Sequence, residues 1–161
     1  MKPTVAHIAV VAILFVCLPL LIGADYMYWD DSHFPAIALT NIQTRDQVRE
    51  ASSSLAIFLN VNAEISADNT AAAQLTHAAS GDNLVTEYML TFDGDGVSTT
   101  GSTPTSYQSY DQFLTSPAAI NYITDDNDVT VTLHVKASNS AGKLADAGTY
   151  TATQTLTVHW R

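Results

Sequence analysis

The sequence predicts an all-β protein, an antiparallel β-sandwich preceded by an N-terminal hydrophobic helix. Two observations carry this prediction. Apolar residues run from Ile8 to Ile22 with no charged residue among them. Beyond this run, apolar and polar residues alternate in several short segments separated by Gly, Asp, Asn and Ser, which is the period-two pattern of strands that bury one face.

The apolar run has the features of an export signal. Lys2 precedes the run, and the small residues Gly23 and Ala24 follow it. This order matches the charged start, apolar centre and small-residue cleavage site of a secretory signal peptide. We therefore assign residues 1–24 to a signal peptide that is cleaved after Ala24, and we expect the body to be exported to the cell surface, the periplasm or the extracellular space.

The alternative for the same segment is an uncleaved membrane anchor. The stretch from Thr4 to Ala24 reaches the ~20 residues that a membrane-spanning helix needs. Aromatic residues follow it directly and are typical of the interface between a bilayer and water. This alternative predicts membrane contact through residues 4–29, with the body held outside.

Composition excludes several partners of the body. Lys and Arg number 6 against 16 Asp and Glu, a net charge of −10, which repels nucleic acid. The one cysteine, Cys17, lies in the apolar run, so the body has no disulfide. Its length suits one domain that is stabilised by core burial or by partners.

Residues 25–54 are predicted to be an aromatic and acidic lead-in that docks onto a protein partner. Thr44 followed by Gln47 is a capping-box pattern, which predicts a short helical turn within this region. The expected interaction residues are Tyr26, Tyr28, Trp29 and Phe34.

Residues 55–161 are predicted to form the sandwich domain. Period-two alternation is clearest at Leu55–Ile65, at Val129–Val135 and from Gly148 to the C-terminus, where a row of threonines faces outward. Shorter strands are expected at Ala71–His77 and Leu84–Phe92, and a short helix or turn at Tyr107–Leu114. Short strands joined by turn residues are typical of an immunoglobulin-like sandwich.

Two segments resemble a known class of exported subunits. The ending Asp146-Ala-Gly-Thr-Tyr-Thr-Ala-Thr-Gln-Thr-Leu-Thr-Val-His-Trp160 and the segment Phe58–Ala67 are similar to strands of secreted pilin-like proteins, the spore-coat-U type and chaperone-usher fimbrial domains. The chain lacks the cysteine pair common in the spore-coat-U type. The resemblance implies an incomplete sandwich whose groove is filled by a neighbour's strand, by β-strand addition. The lead-in or Leu55–Ile65 could be the donated strand.

Two acidic turns offer oxygen ligands for calcium, although Asp and Asn in turns also hydrogen-bond their own backbone. The five histidines are scattered along the chain. The candidate ligands are Asp93, Asp95, Asp125, Asp126 and Asp128. No other cofactor is expected.

No motif in the sequence assembles a catalytic constellation, since G-x-S-x-G, phosphate-loop and dinucleotide patterns are absent. The sequence therefore predicts a non-catalytic structural subunit of pilus or surface-filament type, whose partners are copies of itself or other envelope proteins. One alternative is a membrane-anchored accessory subunit of a larger envelope complex. Another is a secreted carbohydrate- or calcium-binding module that uses Tyr107, Tyr110 and the acidic turns.

Overall fold

A computed structural model of the chain describes residues 6–8, 25–93, 105–122 and 128–161. The all-β class is confirmed, and these residues contain no α-helix. The expected N-terminal helix is not supported, because Ala6–Ile8 form a strand. The strands are β1 (Ala6–Ile8), β2 (Met27–Trp29), β3 (Ile37–Leu39), β4 (Val48–Leu59), β5 (Ala63–Ala67), β6 (Thr76–His77), β7 (Val85–Phe92), β8 (Gln108–Ser109), β9 (Ala118–Ile120), β10 (Asp128–Ser138), β11 (Tyr150–Ala152) and β12 (Leu156–Trp160).

The described strands form three sheets around one core. The central sheet has the order β2-β4-β10-β7-β8, and the small sheet has the order β12-β5-β9. The third, which we call the slot sheet, has the order β3-β1-β11-β6. All pairings are antiparallel except β1 with β11. The arrangement fits a sandwich only loosely, because the sheets curl around the core.

The alternation of apolar and polar residues determines which face of the central sheet is buried. Strand β10 pairs along its full length with β4 and along eight residues with β7. Its inward residues are buried and its outward residues are polar, as the sequence predicts. The inward set is Val129, Val131, Leu133, Val135 and Ala137.

The single strand predicted at Leu55–Ile65 is wrong, because two strands share it. β4 ends at Leu59 in the central sheet, and β5 begins at Ala63 in the small sheet. Apolar residues stay on the core side through the crossing, so periodicity does not reveal it. The signal is the pair Asn60 and Asn62, whose side-chain oxygens accept backbone N–H groups of Tyr26 (2.6 Å) and Tyr122 (2.9 Å).

The C-terminal strand also divides. β11 belongs to the slot sheet and β12 to the small sheet. Between them, the Thr153 N–H donates to Ala72 O at 2.6 Å, so this residue leaves the β ladder. Gln154 is buried and donates to Asp68 Oδ1 and Thr155 O, both at 3.1 Å. The predicted inward face persists except at Trp160, which is exposed.

Two shorter predicted elements also differ in part from what the structure shows. The strand predicted at Ala71–His77 is a 3-10 turn at Ala71–Ala73 followed by the two residues of β6. The Ala73 carbonyl accepts from the buried Tyr88 hydroxyl at 2.6 Å instead of joining a ladder. Over Tyr107–Leu114 the chain forms β8 and a turn, which is one of the two expected forms.

The predicted lead-in lies within the fold. Residues 25–54 supply β2, β3 and the first half of β4. The helical turn predicted there reduces to one turn closed by Gln47 N–H to Thr44 O at 3.3 Å. From Val48 onward the chain pairs with β10, which holds it extended.

Candidate strand-acceptor site

The slot sheet contains a strand that comes from the predicted export segment. β1 lies between β3 and β11, antiparallel to β3 and parallel to β11, and is three residues long. Hydrogen-bonded strands lie ~4.8 Å apart, so β3 and β11 are separated by about two such spacings. Without β1 their facing edges are too far apart to bond each other. We call the space between these two edges the strand-acceptor slot.

The register of the slot follows an inward, outward, inward pattern. Paired residues share a face of the sheet, and the first and third positions of β1 have buried neighbours on both sides. The middle position, His7, has exposed neighbours on both sides. The register pairs are Ala6 with Leu39 and Tyr150, His7 with Ala38 and Thr151, and Ile8 with Ile37 and Ala152.

The β11 wall of the slot is held by a network around Asp82. The Tyr150 hydroxyl and the Asp146 N–H donate to Asp82 Oδ2 at 2.8 and 2.9 Å, and the Lys143 ammonium donates to Oδ1. The Lys143 contact, followed by the Asp146 N–H, holds the pKa of Asp82 far below its usual range. Burial, helped by the bond to Asp82, raises the pKa of the Tyr150 hydroxyl. Asp82 is therefore an ionised acceptor, and it receives hydrogen bonds from three groups of the β11 wall and the segment before it.

A close approach at Gly148 completes this wall. The His77 ring lies 5.2 Å from the Tyr150 ring, centre to centre. A Cβ at Gly148 would stand 1.9 Å from His77 Nε2, so only glycine lets the chain pass under this ring. On its other side the ring accepts the Ser80 N–H at Nδ1 (3.1 Å).

The β3 wall is tied to the rest of the fold by Asn139, which is 8% exposed. Its Nδ2 donates to Thr44 O (3.0 Å) and Arg45 O (3.1 Å) in the turn after β3. Its Oδ1 accepts the Ala145 N–H at 3.0 Å, in the segment leading to β11. One side chain thus fixes both walls relative to the end of β10. The walls have anchors that do not involve β1.

A small cleft is lined by Leu39 of β3 and Tyr150 of β11, and the exposed side chain of Leu144 lies at its surface. The free space inside is about 20 Å³, enough for a water molecule and too small for an organic ligand.

The four expected interaction residues separate into two groups. Trp29 and Phe34 are each 2% exposed and pack edge to face in the core, so they do not offer a docking surface. Tyr26 and Tyr28 remain at the surface, with ring centres 6.0 Å apart, and Tyr28 stacks on Phe58 at 5.4 Å. Tyr28, which is 43% exposed, is the more accessible ring of this aromatic row.

The tyrosines proposed for carbohydrate binding have other contacts. Lys136 Nζ lies 4.4 Å from the centre of the Tyr107 ring and 2.8 Å from Glu87 Oε2. Burial and the nearby Glu50 raise the pKa of Tyr107. Tyr110 packs against the core. Both rings are thus partly engaged within the fold.

Two of the candidate calcium ligands are described, and Asp95, Asp125 and Asp126 lie outside the described residues. Asp93 Oδ2 accepts the Thr130 N–H at 3.3 Å, and Asp128 pairs with Phe58 in the β ladder. In the part of the chain that the structure describes, no three acidic, histidine or cysteine side chains come together as a metal site.

The histidines on the outward faces of β10 and β12 stay apart. His134 Nε2 contacts Thr91 Oγ1 at 2.8 Å in the central sheet, and His159 Nε2 contacts Ser66 Oγ at 2.9 Å in the small sheet. Burial lowers the pKa of His134. Each histidine ring therefore makes its hydrogen-bond contact with a neighbouring strand of its own sheet.

The slot was missed at the level of sequence. Its three strands are apolar-polar-apolar or small-residue triplets, too short to stand out by alternation. Asp82 lies among the turn residues Gly81 and Asn83, and its partner Lys143 is 61 positions away. The available signal was Tyr150 followed by Ala152, an inward pair at the start of a predicted strand.

No family model matches the chain, and no curated protein is significantly similar to it. Within the described ranges, no helix has the length and apolar character needed to cross a bilayer.

Proposed function

We propose that the protein is a non-catalytic structural subunit of pilus or surface-filament type, exported to the periplasm or the extracellular space, which assembles by β-strand addition. The observation that carries the proposal is β1. A segment of the predicted export signal completes a sheet of the body, between β3 and β11. An immunoglobulin-like sandwich that needs such a strand is incomplete by itself, and the same slot can take a neighbour's strand.

The chemistry of the described residues supports a structural role. Two ionisable side chains with strongly shifted pKa values, Asp82 and Tyr150, bond each other and hold the slot wall. A catalytic acid or base needs a pKa near the working pH, whereas these pKa values move away from neutrality. The exposed Lys143 is likewise bound to Asp82. This network therefore favours a scaffold over an enzyme.

The test is assembly of the exported protein with the β3 edge disabled. Ala38 is exposed at the middle of β3, and among the described strands β1 is the only one that pairs with β3. Ala38→Pro fixes φ and removes an N–H there, so it should reduce assembled material at least tenfold. The matched control, Ala36→Pro, lies outside the strand and should assemble normally.

Assembly is measured by size-exclusion chromatography with light scattering and by electron microscopy of material from the native envelope. Thermal unfolding of both variants checks that the body remains folded. A wild-type protein that stays monomeric at high concentration, or an Ala38→Pro variant that assembles as well as Ala36→Pro, would contradict the proposal.

A second function, a membrane-anchored accessory subunit of an envelope complex, is favoured by the aromatic row. Tyr26 and Tyr28 lie directly after the apolar segment, and amphipathic rings at that place suit a bilayer interface. The N-terminus of the protein from its native envelope separates the two proposals. Asp25 supports the secreted subunit, and Met1 supports the anchored one.

A further inference from the structure

We infer that residues 6–8 are a built-in plug of the strand-acceptor slot, and that the slot takes an extended segment of a partner only after this plug has been cut from the body. The inference rests on the proposed function and adds its regulation. The occupant that replaces the plug is a peptide segment with apolar residues at its first and third positions and a polar residue between them.

The fit of the plug comes from the register. Its apolar ends, Ala6 and Ile8, occupy positions flanked by buried residues of β3 and β11. His7 is the most polar residue of the segment from Thr4 to Ile22, and it falls at the position whose two neighbours, Ala38 and Thr151, are exposed. A shift by one residue would place His7 at a core-facing position, so the segment has one favourable register.

The slot persists when the plug leaves, because its walls are anchored elsewhere. Asn139 bonds the turn after β3 and the segment before β11, and Asp82 holds Tyr150. An emptied slot would expose the backbone donors and acceptors of two strand edges, those of β3 and β11. This combination favours rapid capture of another strand.

The hold on the plug depends on its tether. Three residues make few ladder bonds, in contrast to the full-length pairing of β10 with β4. A covalently attached strand competes at an effective concentration on the order of millimolar, which disappears once the link is cut. Cleavage after Ala24 removes the tether and leaves only the pairing of three residues. Signal processing and opening of the slot would then be the same event.

The experiment uses the full chain with a specific protease site in place of residues 13–19, so that the link can be cut after folding. The probe is a fluorescent peptide with the sequence of residues 4–11 and a lysine tail. Its control carries His7→Pro, which fixes φ and removes the backbone N–H at the central position. Fluorescence anisotropy gives uptake before and after cutting, and hydrogen exchange of β3 and β11 amides locates it.

We expect the uncut protein to take up little probe. The cut protein should reach half-saturation at a probe concentration at least tenfold lower, with protection at β3 and β11, and should reject the control peptide. Equal uptake by cut and uncut protein, uptake by neither, or protection elsewhere would overturn the inference. Uptake by cut protein that never assembles would instead overturn the proposed function and leave the plug standing.

Discussion

The central sheet and the slot sheet are built on opposite principles. In the central sheet, β4 and β10 are long and pair through eleven residues of each strand. In the slot sheet, no strand exceeds three residues, and one of them comes from the predicted export segment. The first sheet is stabilised by its own continuous ladder. The second depends on side chains outside it, and for this reason we propose it as the part of the molecule that exchanges a strand.

The largest effect should come from the core of the central sheet. Leu133 is fully buried in the middle of β10, between β4 and β7. We predict that Leu133→Ala lowers the free energy of unfolding by about 2–5 kcal/mol, because it removes apolar contacts and leaves a cavity. Denaturant titration measures this loss. A loss below 1 kcal/mol would show that the central sheet does not dominate stability.

The next effect should come from the Asp82 network. Asp82→Asn keeps the shape but removes the charge that Lys143 and Tyr150 contact, so we predict a loss of about 1–3 kcal/mol at pH 7. Denaturant titration of the variant and the wild type measures this loss. The exposed Asp46 provides the control substitution, Asp46→Asn, which should change little.

The pH dependence of this difference has a fixed sign. The pKa of Asp82 is depressed in the folded state, so its contribution is complete above the unfolded pKa of about 3.9. It should be lost as the pH falls from there toward the folded pKa. Stability curves of wild type and Asp82→Asn should therefore converge below about pH 4, and a constant gap down to pH 2 would contradict the assignment.

A local effect should appear at the glycine under the His77 ring. Gly148→Ala places a methyl group where His77 Nε2 now lies, so we predict displacement of the ring and a loss of about 1–3 kcal/mol. The His77 ring signals in an NMR spectrum report the displacement. Gly142→Ala is the control for the left-handed backbone alone, since nothing lies within 4 Å of its Cβ position. Equal NMR changes in both variants would contradict this packing role.

The smallest effect should come from the outer face of the central sheet. The pair of Lys136 and Glu87 is partly exposed, so Glu87→Gln should cost less than about 1 kcal/mol and should respond to salt. Thermal unfolding at low and high ionic strength measures this contribution. A loss comparable to that of Leu133→Ala would break the division between a self-sufficient core and a solvated face.

The comparison also explains what could be predicted from the sequence. β7 and β10 were found because each keeps one buried face over eight or more residues. The turns at Asn60–Asn62 and at Gln154 were missed because the apolar face continues across them into another sheet. Trp29 and Phe34 looked like docking residues because their burial depends on contacts formed only after folding. The slot joins three short segments that are distant in the chain, and local patterns cannot encode such a meeting.

The most direct test of the central claim is a disulfide trap of β1 in its register. With Cys17→Ser, the pair His7→Cys and Ala38→Cys occupies facing positions of antiparallel strands, where the distance between Cα atoms suits a disulfide. The control pair, His7→Cys with Ala36→Cys, is shifted by two residues. Mass spectrometry of the oxidised full chain should show the first bridge forming within one chain at least ten times faster than the second. Equal rates, or no bridge between positions 7 and 38, would show that the predicted export segment does not occupy the slot.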